Sequence, residues 1–114
     1  MRDCIFCKVI SKEIKGDVVY EDDRVMVFKD INPQAPVHYL IIPKEHIASL
    51  SECSEGEKDI IGELIFRAKE IAAEIPELAG GFRVVINDGK DAGQAVFHIH
   101  VHLLGGRRMS WPPG

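Results

Sequence analysis

The chain changes its hydrophobic period several times, and each change marks an element. From Cys4, the stretch CIFCKVISKE reads as a short helix ended by Gly16. VVYEDDRVMVF holds two β-rich runs, Val18 to Glu21 and Arg24 to Phe28, and predicts a hairpin turning near Asp22-Asp23. DINPQAPV, with its two prolines, predicts a loop, and HYLIIPK a third strand stopped by Pro43. Ser54 and Glu57 match a capping box at a helix start. Beyond them Ile60, Ile61, Leu64, Ile65, Ala68, Ile71, Ala72 and Ile75 keep the spacing of one broad apolar helix face, which Pro76 ends. Gly80-Gly81 turns the chain into FRVVIN, a fourth strand.

The last element alternates without a break. In FHIHVHLL, Phe97 to Leu104, successive side chains of a strand point to opposite faces. Phe97, Ile99, Val101 and Leu103 are therefore expected on a buried face, and His98, His100 and His102 together on the other. The tail GGRRMSWPPG is too rich in glycine and proline for regular structure. The order of elements predicts an α+β domain: an antiparallel sheet of about five strands with one long and one short helix. No internal repeat or linker interrupts it, so residues 1–114 read as a single domain.

Composition narrows the function classes. The chain is 46% hydrophobic and 28% charged, as soluble globular proteins are. No apolar run approaches the ~20 residues that span a bilayer, which argues against a membrane partner. MRDCIFCKVI does not read as a signal peptide, and a cytoplasmic location is the expectation. Net charge is −4, with 18 acidic against 14 basic side chains and no basic block, so a nucleic-acid surface is not expected. Phosphate, if handled, belongs in a local pocket.

Three histidines on one strand face admit three readings. They can be polar residues of a solvated face, since exposed strand positions accept any polar side chain. They can bind a metal, because imidazole is a common zinc ligand. Same-face neighbours lie about 6.6 Å apart along a strand. A pair can lean onto one ion, but three in a line cannot easily do so. Finally, an imidazole with a pKa near ~6.5 is largely neutral at pH 7 and can attack phosphorus, while a neighbour handles protons. The glycine-rich DGKDAGQ before the strand would offer backbone N–H groups to phosphate oxygens.

HIHVHLL, residues 98–104, fits His-x-His-x-His-x-x with hydrophobic x, and here the chain resembles the histidine triad (HIT) superfamily. EDDRVMVFKDINPQAPVHYLIIPKEHI, VVIN with DG, and HLLGGRRMSWPPG extend the resemblance over almost the whole length and point to the histidine triad nucleotide-binding (Hint) branch. The resemblance implies a purine nucleoside phosphoramidase, acting on nucleoside 5′-phosphoramidates or aminoacyl-adenylates through a nucleotidyl-histidine intermediate. It also implies a homodimer whose sheet continues from one subunit into the next.

Carried onto this sequence, the resemblance makes His100 the nucleophile. His102 would contact phosphate and assist proton transfer, and His38, in APVHY, would be the supporting fourth histidine. Asn87 and the backbone around Gly93 would hold phosphate oxygens, and Asp30 the ribose hydroxyls. Phe6, Ile14, Phe28 and Ile31 would wall a purine such as that of AMP or GMP. Trp111, in the tail 105–114, would lie near the leaving group. Ala95 stands where many relatives carry serine, whose hydroxyl can bond the phosphate or the leaving group; only the Ala95 backbone N–H remains for this.

Cys4 and Cys7 form a C-x-x-C, by itself half a zinc site, and the thioredoxin-like setting a redox pair would want is missing. Bacterial members of the superfamily often bind a structural zinc through two such cysteines, a histidine after Pro-Lys-x and the first triad histidine. Here those are Cys4, Cys7, His46 and His98, leaving His100 and His102 for phosphate with no metal needed in catalysis. Two other classes stay open at this point: a purine-nucleotide binding module with negligible turnover, and a zinc hydrolase with an open metal among the three triad histidines. Cys53 has no role in any of them.

Overall fold

The computed structural model describes residues 3–114. Five strands form one antiparallel sheet in the order β1-β2-β3-β5-β4, where β1 is Val18–Glu21, β2 Val25–Lys29, β3 Val37–Pro43, β4 Phe82–Val85 and β5 Val101–Gly105. Helix α1, Ile5–Ile10, lies against one face, and helix α2, Lys58–Ala73, against the other. The α2 face carries the main core, in which Ile60, Leu64 and Ala68 meet Val25, Ile41, Val101 and Leu103. The smaller cluster on the α1 face joins Phe6 and Val9 to Met26, Phe28, Leu40 and Ile42.

Local chemistry sets the boundaries. Asp22 makes the hairpin turn by accepting the N–H groups of Arg24 and Val25, each at 2.8 Å, so β2 opens at Val25, one residue later than the pattern suggests. Ser54 donates its N–H to the Glu57 carboxylate at 2.8 Å, as a capping box requires, but a 3₁₀ turn over Glu55–Glu57 precedes α2. Helix α1 is shorter than expected: it closes at Ile10, and Lys12 follows at a positive φ of 71°. Ile75 lies beyond α2 yet still packs on the main core.

The histidine segment departs most from its expected form. Only Val101–Gly105 is strand, and Phe97, assigned to the buried face, is 49% exposed. Register gives the reason. The ladder between β3 and β5 pairs Val37 with Gly105 and runs to Ile41 with Val101, so its continuation would set Ile99 opposite Pro43. Proline has no N–H to donate, and the ladder stops there. Ile99 donates instead to the carbonyl of Ile47 at 2.6 Å. The expected apolar face otherwise holds, with Ile99, Val101 and Leu103 buried. The histidine face is not a solvated one either, for His98 and His100 are buried as well.

Candidate active site and metal cluster

Two groups of side chains form along the histidine segment. At its start, Cys4 Sγ lies 3.2 Å from His98 Nδ1, and Cys7 Sγ lies 3.4 Å from His46 Nδ1 and 3.6 Å from His98 Nδ1. The two Nδ1 atoms are 3.2 Å apart, and all four donor atoms lie within 4.8 Å of one another. A tetrahedral zinc with Zn–S near 2.3 Å and Zn–N near 2.0–2.1 Å needs donor separations of roughly 3.3–3.8 Å. The set fits. His98 donates Nε2–H to the Pro43 carbonyl at 2.8 Å, which leaves the Nδ1 lone pair facing the sulfurs. Burial and the neighbouring Cys4 push the Cys7 thiol up, so a bound cation is what would hold Cys7 as a thiolate.

Further along, hydrogen bonds fix a second pattern of protons. His100 lies 2.8 Å from the carbonyl of His98 through Nδ1. A carbonyl only accepts, so Nδ1 carries the proton and Nε2 keeps its lone pair. The Gln34 backbone donates to His38 Nδ1 at 3.0 Å, and His38 Nε2 faces His102 Nδ1 at 2.9 Å and Asp30 Oδ2 at 3.4 Å. In the neutral rings His38 thus donates to His102, whose own proton sits on Nε2. Burial holds His38 and His100 below the ordinary imidazole range and brings His102 down to about 4, so all three are neutral at pH 7.

The three triad histidines do not converge. Among the described residues the groups able to hold a metal are Cys4, Cys7, His46 and His98, and Asp30, His38 and His102; neither unites His98, His100 and His102. Phe6 and Phe28 are both buried and meet edge-to-face at 5.4 Å, with the Phe6 ring also against His98 and His100. Ile31 is 97% exposed and Trp111 81%, so neither is gathered in by the single chain, and Ile14 is exposed too. Asn87 is half-buried just past β4, and Ala95 is exposed. Gly93 donates its N–H to Lys90, so its own amide is not free for phosphate; what it supplies is the turn, at φ 84°.

Sequence reasoning passed over three groups. Gln94, buried, accepts the Gly89 N–H at 2.8 Å and donates to the carbonyls of Ala48 and Val96 at 2.8 and 3.0 Å, pinning the glycine-rich loop. A glutamine between Gly93 and the run AVF is a visible signal for such a role. Gln34 and Pro43 act through main-chain atoms and leave no sequence signal of that kind.

A model of the HIT domain matches residues 11–109. The chain belongs to the HIT domain family. Relatives include Adenylylsulfatase HINT1 of Arabidopsis thaliana, 55% identical over 96% of this chain and 76% of its own length. The 14 kDa zinc-binding protein of Brassica juncea is 54% identical, with 98% of this chain and all of its own covered. The crystal structure of a HIT family hydrolase from Legionella pneumophila superposes with a TM-score of 0.95 at 46% identity, over 98% of this chain and 100% of that one. The five-stranded HIT fold and the Hint-type kinship expected from the sequence are both borne out. No helix among the described residues is long and apolar enough to cross a membrane.

Proposed function

We propose that this HIT domain protein is a purine nucleoside phosphoramidase with His100 as its nucleophile. The observation that carries the reading is the His100 ring itself, buried, neutral and hydrogen-bonded through Nδ1–H, so that Nε2 is the reactive atom. Nε2 attacks the α-phosphorus of a phosphoramidate protonated on its nitrogen. The P–N bond breaks, and the amine leaves with the bonding pair. The ring becomes a phosphorylated imidazolium whose Nδ1–H never leaves. Water then attacks phosphorus, the P–Nε2 bond breaks, and the nucleoside monophosphate departs with one proton lost to solvent. His102 Nε2–H, oriented by His38, steadies the charge on the phosphate oxygens.

Asp30, Asn87 and the backbone near Ala95 would hold ribose and phosphate, with Phe6, Phe28, Ile14 and Ile31 around the base. The Cys4, Cys7, His46 and His98 cluster would bind a structural zinc, closed by four protein ligands and therefore without an open position for substrate. A homodimer joined along the sheet edge at β4 would bring the exposed Phe82 and the α2 residues Ile65 and Phe66 against a second copy. Sedimentation equilibrium returning the mass of one chain would refute that part. Unbridged thiols suit a cytoplasmic location.

The test is a single-turnover reaction with adenosine phosphoramidate, quenched and read by intact-mass spectrometry. The expected result is an adduct of AMP mass on the wild type and none on His100→Ala. Nucleotide binding without adduct or AMP release would overturn the enzyme reading in favour of a binding module.

A further inference from the structure

The two groups of side chains are joined by more than sequence. Phe6 stands between the two cysteines, and its ring lies 5.9 Å from that of His98 and 5.2 Å from that of His100, the latter at 88°. Cys4 caps α1, its Sγ accepting the Cys7 N–H at 3.3 Å, so the helix that carries Phe6 is anchored at the metal-ligating sulfurs. The carbonyl that fixes His100 belongs to His98, whose ring supplies the fourth donor of the cluster. Residues 97–100 have no sheet ladder to hold them, apart from the single bond from Ile99 to Ile47.

We propose that the Cys4, Cys7, His46 and His98 cluster is a positioning device for the nucleophile. Ligation holds the His98 ring and α1, and the His98 carbonyl with the Phe6 ring, perpendicular to that of His100, then sets the plane of His100. Metal loss lowers turnover before it unfolds the domain, because the main core lies on the opposite face of the sheet. A cleft of about 410 Å³ opens on Cys4 and His46 between Asp3, Ile5 and Phe97, and gives a chelator a way in. The inference rests on the phosphoramidase reading for its kinetic consequence but not for its structural one.

The test starts from zinc-loaded protein. Zinc is withdrawn with a chelator, the fold is followed by circular dichroism, and the His100 Nδ1–H proton is observed by NMR in selectively labelled protein. Expected in the metal-free, folded state are a lost or broadened Nδ1–H signal, a kcat for adenosine phosphoramidate lower by roughly 10–100-fold, and a KM changed by no more than about twofold. Phe6→Leu, still holding one zinc, should move the same signal and lower kcat in the same sense. If chelation unfolds the chain, the claim that turnover falls before the fold is overturned, and Phe6→Leu then judges only whether the Phe6 ring positions His100. An unchanged Nδ1–H signal and kcat, in metal-free folded protein or in zinc-loaded Phe6→Leu, overturns the coupling. Zinc-loaded protein that releases no AMP sinks the phosphoramidase reading, while the NMR comparison still judges the coupling.

Discussion

His98 and His100 are the same residue type, two positions apart and both buried, yet they offer opposite nitrogens to their surroundings. His98 gives Nε2–H to Pro43 and presents Nδ1 to the cysteines. His100 gives Nδ1–H to His98 and keeps Nε2 free. Which nitrogen keeps its lone pair is thus decided by which one a main-chain carbonyl occupies, not by residue type. The first environment gathers four lone pairs, as a cation requires; the second leaves one lone pair beside a histidine relay.

The sharpest way to break this comparison is to delete each ring in turn. His100→Ala should lower kcat on the order of 10⁴-fold or more while still binding one zinc per chain. His98→Ala should lose the zinc and lower the melting temperature by roughly 10 °C or more. Steady-state kinetics, metal content by mass spectrometry and calorimetry read all three. A zinc-free His100→Ala would show that the division of labour is wrong.

Acid should distinguish the relay next. His102 is held at about 4 in the folded chain by burial and by the His100 and His38 rings, against an ordinary value near ~6.5. Between these values the unfolded chain binds more protons, so stability is complete above pH ~6.5 and falls as pH drops toward about 4, by up to about 3 kcal/mol. Urea midpoints measured across that range should show a shallower loss in His102→Gln. An identical slope would mean that other groups carry the acid sensitivity.

The smallest effect expected is at Ala95. A serine there would add one hydrogen bond to phosphate or leaving group, worth ~1 kcal/mol, and raise kcat about fivefold. An unchanged kcat would place that side chain away from the reacting atoms.

Much of this comparison was readable from the chain alone, and the limits have physical causes. The α2 pattern from Ile60 to Ala72 and the alternation of Ile99, Val101 and Leu103 are periodic signals, and periodicity survives folding. Cys4, Cys7, His46 and His98 were named through family resemblance, and the folded chain brings their donor atoms together. Periodicity could not say that the strand begins at Val101, because the cause is the absent N–H of a residue in another strand, Pro43, brought opposite by register. Nor could it find the contacts of Phe6 with His100 or the bond from Gln34 to His38, which join segments distant in sequence or use main-chain atoms. The resemblance puts Ile31 at the base and Trp111 near the leaving group, yet in the single chain both stand in solvent.

The acceptors that assign the protons of His98 and His100, and the donor that assigns those of His38, are peptide groups of Pro43, His98 and Gln34. The two carbonyls are present whatever side chain occupies the position, and the Gln34 N–H is lost only to proline. The tautomer pattern is therefore robust to point mutation in a way that a pattern written in side chains is not. Other substitutions can reach it only by displacing the backbone, and for His100 that backbone is the carbonyl of His98, one of the Cys4, Cys7, His46 and His98 group. Neutral drift around this site should therefore alter what it binds well before it alters which nitrogen reacts.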